Sequence, residues 1–281
     1  MPAIPDPVST AADERRLWIF ETCNITDARM QEFPSDKVFV RVCHVKQGYE
    51  DRERHILKEF GRRGVPVHFF LDWDIADITK ETRASFVGSD KLRPSEVSLA
   101  LKQVGIWREF LETDKLFCLV FEDDVFLDAD FVGKLGECIA EFGSPDRKAV
   151  VYLGSGSNYY VPRWKLRKGQ KLYPGLHARC ADSYLITRPV AKARLDWLAE
   201  HRLSKPIDHQ IEHIDEKLGI EMLWFERPIV EQGSQNGAFQ SSVAGSARHL
   251  WLKRITWSWK KASRRFFGHN ARGKSNSRKS A

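Results

Sequence analysis

Apolar positions along the chain recur at two different spacings, and the order in which the spacings alternate predicts an α/β protein. Residues 38–45 (VFVRVCHV) are β-branched and aromatic, the pattern of a strand. Residues 51–65 follow as a helix, with Ile56, Leu57 and Phe60 on one face and Gly64 suited to its C-terminal cap. Residues 67–74 read as a second strand ending in acids, so the β-α-β start predicts a parallel pair with a right-handed crossover. A long helix is expected over 93–111, with Ser95 as N-cap and Val97, Leu101, Val104, Trp107 and Leu111 as its buried stripe.

The stretch 115–131 (KLFCLVFEDDVFLDADF) is the most apolar strand, with nothing polar between Phe117 and Phe121. Such a run is buried on both faces, as a central strand of an α/β sheet is. A helix through Leu135 and Ile139 follows, then a strand in 149–157 that runs into a small-residue loop. Residues 158–176 set Tyr159, Tyr160, Trp164 and Tyr173 among basic residues, which suits a stacking loop and an amphipathic hairpin equally. A strand and a helix opened by Pro189 fill 180–198. A helix with Ile211, Ile214 and Leu218 inward fills 205–219, and 220–232 closes the sheet. The expected class is α/β with a Rossmann-like, mostly parallel central sheet flanked by helices.

Charge changes this picture mainly at the C-terminus. The formal net charge is +7 over 281 residues, yet no acidic residue follows Glu231 and eleven Lys and Arg lie between Arg248 and Lys279. Without them the body holds 34 basic and 38 acidic residues, about −4. In the tail, Trp251, Leu252, Ile255, Trp259, Ala262 and Phe266 share one side of a helical wheel, opposite Lys253, Arg254, Lys260, Lys261, Arg264 and Arg265. A basic, tryptophan-rich amphipathic helix fits an anionic membrane surface, ahead of nucleic acid or a partner groove. The expected organisation is therefore an N-terminal extension (1–35), one catalytic domain (36–245) and a membrane-associating tail (246–281). The five cysteines lack zinc-type spacing and read as free core thiols of a reducing compartment. With no signal peptide and no membrane-spanning run, the expected location is cytoplasmic, peripheral on the inner face of the membrane.

Candidate chemistry gathers at strand ends, where α/β sheets bind ligands. Glu122, Asp123 and Asp124 follow the central strand at once, and carboxylates against a buried strand are costly without a counter-charge. A divalent cation carrying a diphosphate is such a counter-charge. Asp123 and Asp124 are preferred for the metal over the rival pair Asp72 and Asp74, which then serve ribose or base recognition, or simply turn formation. The motif H-x-x-E-H at 209–213 has zincin spacing but lacks the further downstream acid, so its histidines are expected to face solvent. No phosphate-binding glycine loop of the P-loop or dinucleotide type is present.

These segments resemble glycosyltransferase family 25, the lipopolysaccharide and lipooligosaccharide biosynthesis enzymes. The resemblance spans about 38–242 and rests on the first strand with Asp51 and Arg52, on RPSEVSLALKQVGIW, on VFEDDVFL, on ADSYLITRPVAKARL, on PID at 206–208 and on RPIVEQ with the Ser pair 241–242. Ser95 stands where that family has Gly, and Lys102-Gln103 where it has Ser-His. The resemblance implies a GT-A fold, Mn²⁺ or Mg²⁺, a nucleotide-sugar donor such as UDP-galactose, a lipid-linked saccharide acceptor and an inverting transfer of a hexose. It implies a metal on Asp124, with Asp123 or Glu122 alongside. Asp208, opening a helix in the acceptor half, is the first candidate for the base that takes the acceptor proton, and Asp182 the second. Arg41 and Arg52 are candidates for the diphosphate or uracil, and Glu96, Asp72, Asp74, Glu122 and Asp123 complete the donor set. A non-catalytic saccharide- or nucleotide-binding relative of the same fold is the alternative.

Overall fold

The computed structural model describes residues 31–155, 159–175 and 177–233. The N-terminal extension up to residue 30 and the basic tail both lie outside the described residues. Strands β1 (Val38–Cys43), β2 (Phe69–Phe70), β3 (Phe117–Glu122), β5 (Ala149–Tyr152), β6 (Leu172–Pro174), β7 (Ser183–Thr187) and β8 (Glu221–Phe225) form one seven-stranded sheet in the order β2-β1-β3-β7-β5-β8-β6. Five of these strands point one way, while β7 and β6 run against them. Strands β4 (Val125–Leu127) and β9 (Val230–Gln232) form a separate antiparallel pair.

The central strand is buried on both faces, as its sequence predicts. Cys118 and Val120 of β3 point into one core layer, shared with Trp107 and Phe110 of α3 (Pro94–Glu112) and Ile211 and Ile214 of α6 (Ile207–Leu218). Val190 and Leu198 of α5 (Arg188–Glu200) complete that layer. Phe117, Leu119 and Phe121 point into the other, with Ile56 and Phe60 of α1 (Glu50–Gly61) and Leu135 of α4 (Phe131–Phe142). Helix α3 lies so close to the sheet that a Cβ on Gly105 would run into the Phe70 ring. A further short helix, α2 (Lys80–Phe86), was not signalled by the apolar pattern.

Four local expectations change. The second strand shrinks to two residues, because the Leu71 and Asp72 carbonyls turn to the Lys102 ammonium rather than to a neighbouring strand. Segment 220–232 divides into β8 and β9, and only β8 joins the main sheet. The cap of α3 is Arg93 with Pro94 following, not Ser95, which lines a pocket instead. Leu57 of α1 is 48% exposed, so the buried stripe there is Ile56 and Phe60 alone. Segment 159–175 is irregular apart from a 3-10 turn at Arg163–Lys165 and β6, which pairs with β8; Tyr160 and Tyr173 are buried there while Trp164 is 74% exposed.

Candidate active site

Sheet direction decides which side chains meet. The parallel strands β1, β3, β5 and β8 all finish at one edge, and antiparallel β7 begins there. The acids after β3 and Asp182, just before β7, are therefore neighbours, tied by a hydrogen bond from the Glu122 amide to the Asp182 carbonyl (2.9 Å). The chain turns sharply at Asp123–Asp124 into β4, and β9 holds that turn in place: the Gly233 amide donates to the Asp124 carbonyl (2.6 Å) and Gln232 donates to Glu122 Oε2 (2.8 Å).

Asp123 faces the β1–α1 side. Its Oδ1 accepts from Arg52 (2.6 Å) and its Oδ2 lies 2.8 Å from His44 Nδ1, in a setting where Asp123, Arg52 and His44 are all buried. Burial works against the Arg52 charge, but adjoining Asp123 more than offsets it and raises the guanidinium above its ordinary value. Arg52 is thus no exposed helix arginine. It borders a cavity of about 350 Å³, together with Tyr49, Asp74, Ser98, Lys102 and Glu122. Lys102 forms one wall: its buried ammonium donates to the Leu71 and Asp72 carbonyls (3.3 and 2.7 Å) and to Asp74 Oδ1 (2.7 Å). The Asp74 Oδ2 accepts from the Lys46 amide (2.9 Å). A pocket of this size, apolar in part with a few fixed polar groups, matches a small-molecule site.

On the β7 side that compensation is missing. Asp182 is wholly buried, and neither of its carboxylate oxygens has a hydrogen-bond partner among the described residues. Burial, reinforced by Asp124, pushes it up to about 7. Burial and then Asp124 and Asp182 raise Glu122 well above the carboxylate range. Gly154 makes this packing possible, since a Cβ there would run into the Asp182 carboxylate. Three mutually repelling carboxylates with one carboxylate unpartnered fit a divalent cation in charge and chemistry. Among the described residues no three His, Cys, Asp or Glu side chains form a ready-made ion cage. A nucleotide-borne cation does not require one, because it takes one or two carboxylates and completes its shell with phosphate and water.

The remaining candidates divide. Asp208 begins α6, accepts from the His209 amide (2.9 Å), and faces the acids closely enough to help raise Glu122. Arg41 turns away from this edge to Glu109 of α3 (2.8 Å) and is not among the residues brought together. Glu96 is consumed as a helix cap, accepting from the Arg93 amide and guanidinium (both 2.8 Å). Asp72 contributes its backbone carbonyl to Lys102, and Asp74 alone of that pair lines the pocket. Asp123, expected beside Asp124 at the metal, spends both oxygens on Arg52 and His44. His209 is exposed as expected, whereas His213 is half-buried edge-on to Trp197.

Sequence reasoning passed over Arg179, which is wholly buried and donates to the Phe225 carbonyl (3.0 Å) with its guanidinium 4.6 Å from the Trp224 ring centre. Burial pushes it down to about 9, against the pull of Tyr160 and Asp182. Its only signal in the sequence was a basic residue three places before Asp182.

No family model matches the chain. It is similar to a Haemophilus influenzae protein named "Putative glycosyltransferase", 27% identical over 173 residues. That match covers 59% of this chain and 58% of the relative, so the chain spans little more than half the length of the curated protein it matches. Among solved structures, a glycosyltransferase involved in glycosylation of the major capsid of PBCV-1 aligns over 79% of this chain and 99% of its own, with TM-score 0.39 and 8% identity. The inositol-1-phosphate CTP transferase of T. maritima aligns over 78% and 77%, with TM-score 0.33 and 12% identity. Both scores are too low for either likeness to bear on function. The sequence similarity points to glycosyltransferases.

Proposed function

We propose that this chain is a metal-dependent, inverting glycosyltransferase that moves a hexose from a nucleotide-sugar, UDP-galactose being the first candidate, to a saccharide acceptor. The observation that carries the reading is the juxtaposition of two unlike features at one sheet edge. A cluster of three mutually repelling acids (Glu122, Asp124, Asp182), with the Asp182 carboxylate lacking a hydrogen-bond partner among the described residues, adjoins a pocket lined by a buried arginine, Arg52. A nucleoside diphosphate with its cation needs both.

In this reading Arg52, anchored by Asp123 and stacked over Tyr49, faces the diphosphate, and Asp74 with the Lys102-held wall faces the nucleoside. Asp124 and Asp182, with Glu122 behind them, would hold Mn²⁺ or Mg²⁺. When bound, that ion supplies positive charge against the departing nucleoside diphosphate. Asp182 therefore passes from base candidate to cation holder, because a group so short of counter-charge is better matched to an ion than to an acceptor hydroxyl. Asp208, half-buried at the start of α6 and across from the acids, takes the acceptor proton.

Release of UDP from UDP-galactose in the presence of Mn²⁺ tests the proposal. Wild type turns over, and Asp124→Asn lowers kcat by about 100-fold or more. No turnover with any nucleotide-sugar returns the chain to the alternative, a binding relative without catalysis. The acceptor is proposed to be a lipid-linked saccharide at the inner face of a membrane, with residues 246–281 as the anchor. No helix among the described residues is long and apolar enough to cross a membrane. Sedimentation with anionic vesicles, lost on deleting 246–281, supports the anchor; unchanged sedimentation removes it.

A further inference from the structure

The Nε–H and one Nη–H of an arginine lie along the same edge of the guanidinium plane, and that edge matches two oxygens of a carboxylate or phosphate. This protein shows the edge in use. At the α5–α6 contact, Arg194 Nε and Nη2 donate to the two oxygens of Asp215 at 2.9 and 2.6 Å, in a pair with no solvent exposure. Arg179 is buried to the same degree, yet its Nε and Nη2 have no partner among the described residues. Only Nη1 is used, on the Phe225 carbonyl.

The surroundings hold this guanidinium still. Trp224 carries it on its ring face, and the indole is itself fixed by donating to the His177 carbonyl (2.8 Å) and by stacking on Tyr159 (5.8 Å between ring centres). A Cβ on Gly175 would strike the Trp224 ring, so the backbone is drawn tightly over the platform. Between Arg179 and Asp182, Cys180 adopts φ 102°, a conformation that L residues rarely take. That kink lies between a buried cation and a buried carboxylate without joining them as an ion pair. A buried cation with two aligned, unmet donors is expensive unless an anion meets it.

We infer that the Nε–Nη2 edge of Arg179 binds a phosphate oxyanion of a ligand, a second anion-recognition point across the acid cluster from Arg52. The inference rests on the glycosyltransferase reading for its two sources of phosphate, the donor's diphosphate and a phosphorylated saccharide acceptor. Its chemistry stands without that reading. Arg179 is a binding residue here, with no part in proton transfer.

Calorimetry on the full chain, in EDTA, tests it with two probes: inorganic pyrophosphate and a hexose 6-phosphate, with the unphosphorylated hexose as control. Wild type binds at least one anion, and Arg179→Gln binds that anion about 10- to 100-fold more weakly, the range for charge-assisted hydrogen bonds. Loss confined to pyrophosphate assigns the edge to the donor; loss confined to the sugar phosphate assigns it to the acceptor. If Arg179→Gln does not fold, Arg179→Lys decides, since it keeps the charge and loses the edge: weakening of tenfold or more upholds the inference. Equal affinity in Arg179→Lys, unchanged binding in a folded Arg179→Gln, or no binding of either anion by wild type overturns it. Failure of the enzyme reading would show separately, as wild-type protein that binds the anion but transfers no sugar.

Discussion

The two flanks of the acidic turn handle charge in opposite ways. On the β1–α1 flank every buried charge has a protein partner: Asp123 meets Arg52 and His44, and Lys102 meets Asp74 and two carbonyls. On the β7 flank, among the described residues, the Asp182 carboxylate has no hydrogen-bond partner and Arg179 has one for its whole guanidinium. The first flank is organised before any ligand arrives. The second holds its charges at a cost that a ligand would relieve, the arrangement expected where binding energy is concentrated.

Like substitutions should therefore act with opposite sign on the two flanks. The largest effect is expected at Asp123, where Asp123→Asn leaves Arg52 buried without its counter-ion and lowers unfolding free energy by about 3–5 kcal/mol, read by denaturant titration. Asp182→Asn should do the reverse and stabilise the metal-free protein at neutral pH. The sign follows from linkage. Asp182 is raised from an ordinary carboxylate value to about 7, so the folded state holds a proton that the unfolded state has already lost. Stability from this group is full below its unfolded value, near 4, and is lost as pH rises towards 7. Melting curves in EDTA should thus fall across that window for wild type and flatten for Asp182→Asn, the gain at pH 7.5 being on the order of a few kcal/mol at most. Equal pH profiles for the two proteins would erase the contrast. A smaller effect is expected at Lys102: Lys102→Met frees the 71–74 wall at a cost of about 1.5–3 kcal/mol and weakens UDP binding, while Asp182 titrates as before.

The fold and one half of the candidate site were legible in the sequence for a physical reason. The run Phe117–Phe121 is buried on both faces and stops abruptly at Glu122, so both the central strand and the acids at its end follow from local order. Asp182 was visible as a strand-end acid, but its isolation depends on antiparallel β7 and on Gly154, which only the sheet brings together. Arg41 looked like a donor ligand because it sits one turn of pleat from the edge; its partner Glu109 is 68 residues away. Arg179 was invisible because Trp224 and Phe225, which bury it, lie some 45 residues downstream. Lys102 was noticed as an unusual residue, and only the fold shows it bracing the segment that a longer strand was expected to fill.

Counting protons displaced when Mn²⁺ binds in the presence of UDP tests the central claim most directly. Calorimetric titrations near pH 6.5 in buffers of differing ionisation enthalpy give that number, since a cation must expel the protons its carboxylate ligands hold. The account predicts proton release in wild type that falls sharply in Asp182→Asn and persists in Asp74→Asn. Mn²⁺ binding with no proton release, or with the same release in Asp182→Asn, would contradict it.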